Sequence, residues 1–128
     1  MEDKRLEATA RLLEVMNTLR RECPWDREQT FDSLRSNTIE ETYELADAIT
    51  DHNMEGIKEE LGDLLFSAVN VSRFVKVDTE EALNGATDKF IGRFRKVEET
   101  VNARGEDISA LPLDELMALW NNAKEQLR

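Results

Sequence analysis

Apolar residues recur at helical spacing along nearly the whole chain, and no stretch alternates as a half-buried strand would. Leu6, Ala10, Leu13 and Met16 fall three or four apart and predict a first helix from about Asp3 to Glu22. The segment CPWDREQTFDSL, with Pro24 near its start, interrupts that pattern. A second helix is expected from about Thr38 to Thr50, with Asn37 as N-cap and Glu40 completing a capping box. Asn53 can cap a third helix that continues to about Phe74. Asp78 with Glu81 signals the start of a fourth, and Gly105 is placed to end it. A fifth opens at Pro112, with Asp114 and Glu115 near its positive end. The connections are short, there is no repeat or linker, and the expected architecture is all-α: a bundle of about five helices in one domain, residues 1–128.

The width of the apolar arcs refines this. At about 100° per residue, Leu61, Leu64, Leu65, Phe66, Ala68, Val69 and Val71 cover well over half of the third helix. That helix is expected to be the most buried of the five. Arcs this wide offer more apolar face than one thin bundle can cover, which predicts a homodimer or higher homo-oligomer.

Composition narrows the function classes. The chain has 128 residues, 40% hydrophobic and 35% charged, with a net charge of −11. Such an excess of acids excludes a nucleic-acid duplex as the expected partner. An acidic protein can still bind a polyphosphate where cations bridge carboxylates to phosphates. The apolar stretch from Leu61 to Val71 is too short to span a bilayer, and the start of the chain lacks the apolar core of a signal peptide. With Cys23 the single cysteine, no internal disulfide is possible, and the expected compartment is the cytoplasm.

Two carboxylate pairs then stand out, Glu41 with Glu44 and Glu60 with Asp63. Residues three apart share a helix face, so each pair can direct its oxygens to one place. Hard divalent cations require several such oxygens. In an acid-rich chain this spacing also arises by chance, and a solvent-facing stripe or a salt bridge would explain it as well. Position on the helix favours the cation and leaves the stripe and the salt bridge open. Glu60, Asp63, Ser67 and Asn70 occupy the narrow stripe left by the apolar arc of the third helix. Glu41 falls within the apolar arc of the second helix and Glu44 at its edge, whereas Glu40 and Asp47 project to the polar side. A charge held there needs a partner, which a cation supplies. Glu40 has a structural reason in the expected cap, and Glu59 borders Phe66. Cys23 has no local basic partner to make it a nucleophile. Trp25 is a candidate anchor, Asp26 a candidate turn cap, and His52 a solvated loop residue.

The runs PWDREQTFDSL, IEETYELADAI and KEELGDLLFSAVN, followed by KFIGRFRKVEE and LDELMALWNNAK, resemble the MazG family of nucleotide pyrophosphohydrolases over about residues 12–127. The resemblance implies an all-α NTP pyrophosphatase fold and an oligomer. It implies Mg²⁺, or Mn²⁺ in its place, held by the carboxylates at Glu41, Glu44, Glu60 and Asp63. The activity it implies is conversion of a nucleoside triphosphate to monophosphate and pyrophosphate by metal-assisted attack of water on the α-phosphorus. The family's basic nucleotide contacts carry over onto Lys89 and Arg93, and an aromatic one onto Trp120. Lys89 and Arg93 lie one turn apart and suit neighbouring phosphate oxygens, although an exposed basic face would look the same. Trp120 suits stacking on a base and equally core packing with Leu116 and Ala123. Either Glu40 or Glu59 could accept the water's proton. Some relatives carry a lysine four residues before the glutamate matching Glu60, where this chain has Gly56. Two other expectations stay open: a narrower enzyme of the same fold, acting on dCTP, dUTP or phosphoribosyl-ATP, and a non-catalytic oligomerisation module.

Overall fold

A computed structural model describes residues 3–22 and 28–127. Cys23, Trp25 and Asp26 lie outside the described residues. Those described form five α-helices and one 3₁₀ turn, with no strand: α1 (Lys4–Glu22), α2 (Phe31–Thr50), α3 (Met54–Phe74), α4 (Thr79–Ala103), the turn Ile108–Ala110, and α5 (Leu113–Gln126). The chain divides into two compact units, Met1–Thr79 and Glu80–Arg128.

In the first unit α2 and α3 form an antiparallel hairpin, and α1 packs on α3. Among the described side chains of α1, Met16 is buried. The second helix begins seven residues earlier than expected. Its N-cap is Thr30, whose hydroxyl accepts the Ser33 N–H while the Ser33 hydroxyl accepts the Thr30 N–H. The pairing of Asn37 with Glu40 had the right spacing for a cap, but both lie inside α2. Thr30 accepts an orphan N–H about two turns upstream of Asn37, which leaves Asn37 no capping role. α2 ends in a tight turn. His52 adopts a left-handed conformation (φ 53°), and Asn53 donates its N–H back to the Ala48 carbonyl at 3.1 Å. The Asn53 side chain then caps α3 by accepting the Gly56 N–H at 3.1 Å.

The third helix corrects a second expectation. Leu61, Leu65 and Phe66 are 45%, 57% and 41% exposed, while the residues that α3 buries are Ser67 and Asn70. The periodicity located the apolar arc correctly, but α2 lies against the polar stripe, so the arc of this helix faces outward. The stripe of α2 turned to α3 runs through Leu34, Asn37, Glu41, Leu45 and Ala48, of which Leu34 and Ala48 are buried.

The second unit has an apolar centre. Val97 and Val101 of α4 are buried with Ala123 of α5, and Ile108, Leu111, Leu116, Leu119 and Trp120 pack around them. α4 ends as expected at Gly105 (φ 69°), after which the Glu106 N–H returns to the Val101 carbonyl at 3.2 Å. Asp107 caps the 3₁₀ turn by accepting the Ser109 N–H. Leu111 is extended, as a residue before proline tends to be. Pro112 is the N-cap of α5 rather than its first-turn residue, and Asp114 and Glu115 occupy the first turn.

Candidate metal and nucleotide site

Antiparallel packing of α2 on α3 brings the two carboxylate pairs to one level. Glu41, Glu60 and Asp63 each offer an oxygen within 4.8 Å of the others. Glu41 and Glu60 are half-buried and Asp63 is exposed. Glu44, also exposed, is not one of the three that converge, but it lies near enough to Glu60 to raise its carboxyl.

The electrostatics are unfavourable for three free carboxylates. Burial first, then the charges of Glu44, Asp63 and Glu40, push the Glu41 carboxyl above the ordinary glutamate range. Glu60 is raised by burial, by its hydrogen bond with Glu44, and by the charges of Glu44, Asp63 and Glu59. Glu41 Oε2 and Glu60 Oε2 are nevertheless buried with no hydrogen-bond partner. Buried polar atoms in native proteins are normally satisfied. Two orphaned carboxylate oxygens beside a third carboxylate are oxygens of the kind that a hard divalent cation takes as ligands.

The remaining acids fall around this cluster. Glu40 is exposed on α2, and its charge bears on Glu41. It no longer has a capping role to explain it. Glu59 lines a shallow groove on the N-terminal part of α3 with Glu55, Lys58 and Gly62. Gly56 lies in the same groove, and a Cβ there would come within 2.6 Å of the Asn53 Nδ2. A lysine at that position would therefore compete with the side chain that caps α3.

In the second unit Lys89 is exposed and Arg93 is half-buried, with its Nε buried and lacking a hydrogen-bond partner. Arg93 lines a cleft with Asn121, Lys124 and Glu125 of α5, and Lys89 is not part of that lining. Lys124 was not singled out from the sequence. Its signal was there: it lies four residues after Trp120, on the same face of α5. Trp120 combines the two roles open for it. It packs against the Val97, Val101 and Ala123 centre, and it lines an apolar groove with Phe90, Phe94, Val97, Leu116 and Met117. Its ring lies 5.3 Å from that of Phe90, which in turn stacks on Phe94 at 6.0 Å. The second unit thus offers a cleft lined by two cationic side chains, Arg93 and Lys124, with the acid Glu125, and an aromatic groove around Trp120.

Residues 29–98 match the sequence profile of the family described as "MazG nucleotide pyrophosphohydrolase domain". The chain belongs to that family. The matched segment contains both carboxylate pairs together with Lys89 and Arg93, and it stops before Trp120. Among its relatives is the "Nucleoside triphosphate pyrophosphohydrolase/pyrophosphatase MazG" of Thermotoga maritima, 47% identical over 85 residues, covering 66% of this chain and 32% of the relative. The "Nucleoside triphosphate pyrophosphohydrolase" of Escherichia coli K12 is 35% identical over 121 residues, covering 92% of this chain and 45% of the relative. The chain thus spans less than half the length of either MazG relative. The crystal structure of a mazG-related protein from Thermotoga maritima matches with a TM-score of 0.68 at 27% identity, over 91% of this chain and 98% of that one. Among the described residues no helix is long and apolar enough to cross a membrane.

Proposed function

We propose that this chain, acting as one MazG-like domain over residues 1–128, is a divalent-metal-dependent nucleoside triphosphate pyrophosphohydrolase. It would convert a (d)NTP to the (d)NMP and pyrophosphate. The observation that carries the reading is the pair of buried, unpartnered oxygens on Glu41 and Glu60 beside Asp63. The names of the Thermotoga and E. coli relatives support the same activity.

Glu41, Glu60 and Asp63 are the proposed inner ligands, with Glu44 as a fourth or as the holder of Glu60. Mg²⁺ fits an all-carboxylate oxygen set, and Mn²⁺ accepts the same donors. When bound, the ion supplies charge neutralisation on the phosphates and a water of lowered pKa. The residues of the chain do the rest. Arg93 and Lys89 hold phosphate oxygens and stabilise charge on the departing pyrophosphate. Trp120 and its aromatic groove take the base or sugar. Water adds to the α-phosphorus, the bond to the α–β bridging oxygen breaks, and that oxygen leaves with the pyrophosphate. Glu40 and Glu59 are both candidates to accept the water's proton. Among the described residues no paired nucleophile and base suggests a covalent route.

The exposed apolar residues of the hairpin, among them Tyr43 at 65% and Leu65 at 57%, favour a homo-oligomer. Nucleoside triphosphates and Mg²⁺ are cytoplasmic species, and the reading places the protein there. A panel of nucleotides with and without Mg²⁺, assayed for pyrophosphate, tests the proposal. Release that requires metal supports it, and the relative rates separate a general enzyme from one narrowed to dCTP, dUTP or phosphoribosyl-ATP. No release from any nucleotide would leave a non-catalytic helical module.

A further inference from the structure

One polar contact crosses the α2–α3 interface a single turn away from the carboxylates. Asn37 Nδ2 donates to Ser67 Oγ at 2.9 Å, and Ser67 is only 5% exposed. Asn37 precedes Glu41 by four residues on α2, and Ser67 follows Asp63 by four on α3. In an antiparallel pair these two offsets coincide, so the hydrogen bond sits directly beside the cluster. The apolar contacts along the interface are non-directional. Leu34 lies near Val71 and Val75 at one end, and Ala48 is small. The short turn between Thr50 and Met54 sets the register at the connected end; beyond it such contacts do not hold one register, and the mutual repulsion of Glu41, Glu60 and Asp63 opposes the register observed. A slip of one helical turn moves a residue by about 5.4 Å, more than the 4.8 Å within which the three oxygens converge. One buried polar residue on a helix interface is an established way of selecting register at some cost in stability.

We propose that the Asn37–Ser67 hydrogen bond is a register pin that holds Glu41 level with Glu60 and Asp63, making Asn37 and Ser67 positioning residues for the metal site. The inference rests on the reading that these carboxylates bind a divalent cation. It predicts that stability and metal affinity separate. Replacing both partners by apolar residues removes a buried polar pair without leaving either group unsatisfied, so the helices stay packed while their register loosens.

The test compares wild type with a double variant, Asn37→Leu with Ser67→Ala, and with an exchanged pair, Asn37→Ser with Ser67→Asn. Thermal unfolding is followed in EDTA and Mn²⁺ affinity by titration calorimetry. The apolar pair is expected to melt in EDTA at or above the wild-type midpoint and yet bind Mn²⁺ about tenfold more weakly, the scale of losses from outer-shell changes. The exchanged pair, which restores a donor and an acceptor, is expected to recover most of the affinity. Where the apolar pair fails to fold by circular dichroism, Ser67→Ala alone is expected to show the same loss of Mn²⁺ affinity, while melting below wild type because Asn37 loses its acceptor. Wild-type affinity in the folded variant overturns the pin and leaves the metal reading intact. A wild-type protein that binds no Mn²⁺ overturns both.

Discussion

Glu41 of α2 and Glu60 of α3 meet across the helix pair, each with its Oε2 buried and without a hydrogen-bond partner. Both carboxyl groups are raised above their ordinary value of 4.5 by burial and by neighbouring acids. Without a cation the fold holds these two groups at a cost, and that cost has a sign.

A carboxyl group whose folded pKa exceeds its unfolded one takes up a proton on folding. Its favourable contribution is present below the unfolded value of about 4.5 and is lost as pH rises through the folded value. In EDTA at neutral pH, Glu60→Gln should therefore melt higher than wild type. The gap should close as pH falls toward that window. Adding Mg²⁺ should raise the wild-type midpoint more than that of the variant. Thermal melts across pH, with EDTA and with Mg²⁺, measure this. A variant less stable than wild type at every pH in EDTA would show that Glu60 is satisfied in some other way.

Asp63→Asn replaces an anionic ligand with a neutral amide while keeping its shape. The fold should survive, and Mg²⁺-dependent pyrophosphate release should fall by at least about tenfold. Glu40→Gln should weaken metal binding less, because Glu40 acts on the cluster only through its charge on Glu41. Calorimetric titration of both variants checks the ranking, and equal affinities would remove Asp63 from the inner ligands.

Arg93 has a buried Nε with no partner and lies in a cleft with Lys124. Arg93→Ala should weaken triphosphate binding or slow turnover by at least about tenfold, the effect of one charge-assisted contact of about 1.5–3 kcal/mol. Metal binding without nucleotide should be unchanged. Arg93→Lys should rescue only in part, since it lacks the guanidinium fork. Lys89→Ala should do less harm than Arg93→Ala, because Lys89 is exposed and outside that cleft. Steady-state kinetics on the three variants decide the order.

His52 sits in the turn between α2 and α3 with a φ of 53°, a conformation that costs a side-chain-bearing residue about 1–2 kcal/mol. His52→Gly relieves that strain but adds freedom to the unfolded chain. The net gain should be up to about 1 kcal/mol, seen as a higher thermal midpoint with unchanged activity. A lower midpoint would mean that the imidazole makes a stabilising contact.

Much of this was legible in the sequence. The α-helical class, the cap at Asn53 and the stop at Gly105 follow from local chemistry, which the chain carries in adjacent residues. The convergence of Glu41, Glu60 and Asp63 followed from spacing on two successive helices joined by a short turn. Two features were hidden. The start of α2 was misplaced because the hydroxyl pair Thr30 and Ser33 is a weaker textual signal than Asn37 with Glu40. The orientation of α3 was misjudged for a different reason. Periodicity gives the width and direction of an apolar arc, but it carries no information about which side the neighbouring helix takes. Here α2 takes the side of Ser67 and Asn70.

The outward arc of α3 makes its length as constrained as its composition. Leu61, Leu65 and Phe66 alternate around the helix with Glu60, Asp63 and Ser67, so one added or deleted residue between Glu60 and Asn70 turns everything beyond it by about 100°. Such a change would turn leucine toward the carboxylate cluster and an acid toward the outward apolar side. The reading frame of the two faces is therefore a single inherited quantity in this stretch, where an exchange of one apolar residue for another on the outward arc is tolerable but insertion or deletion is not.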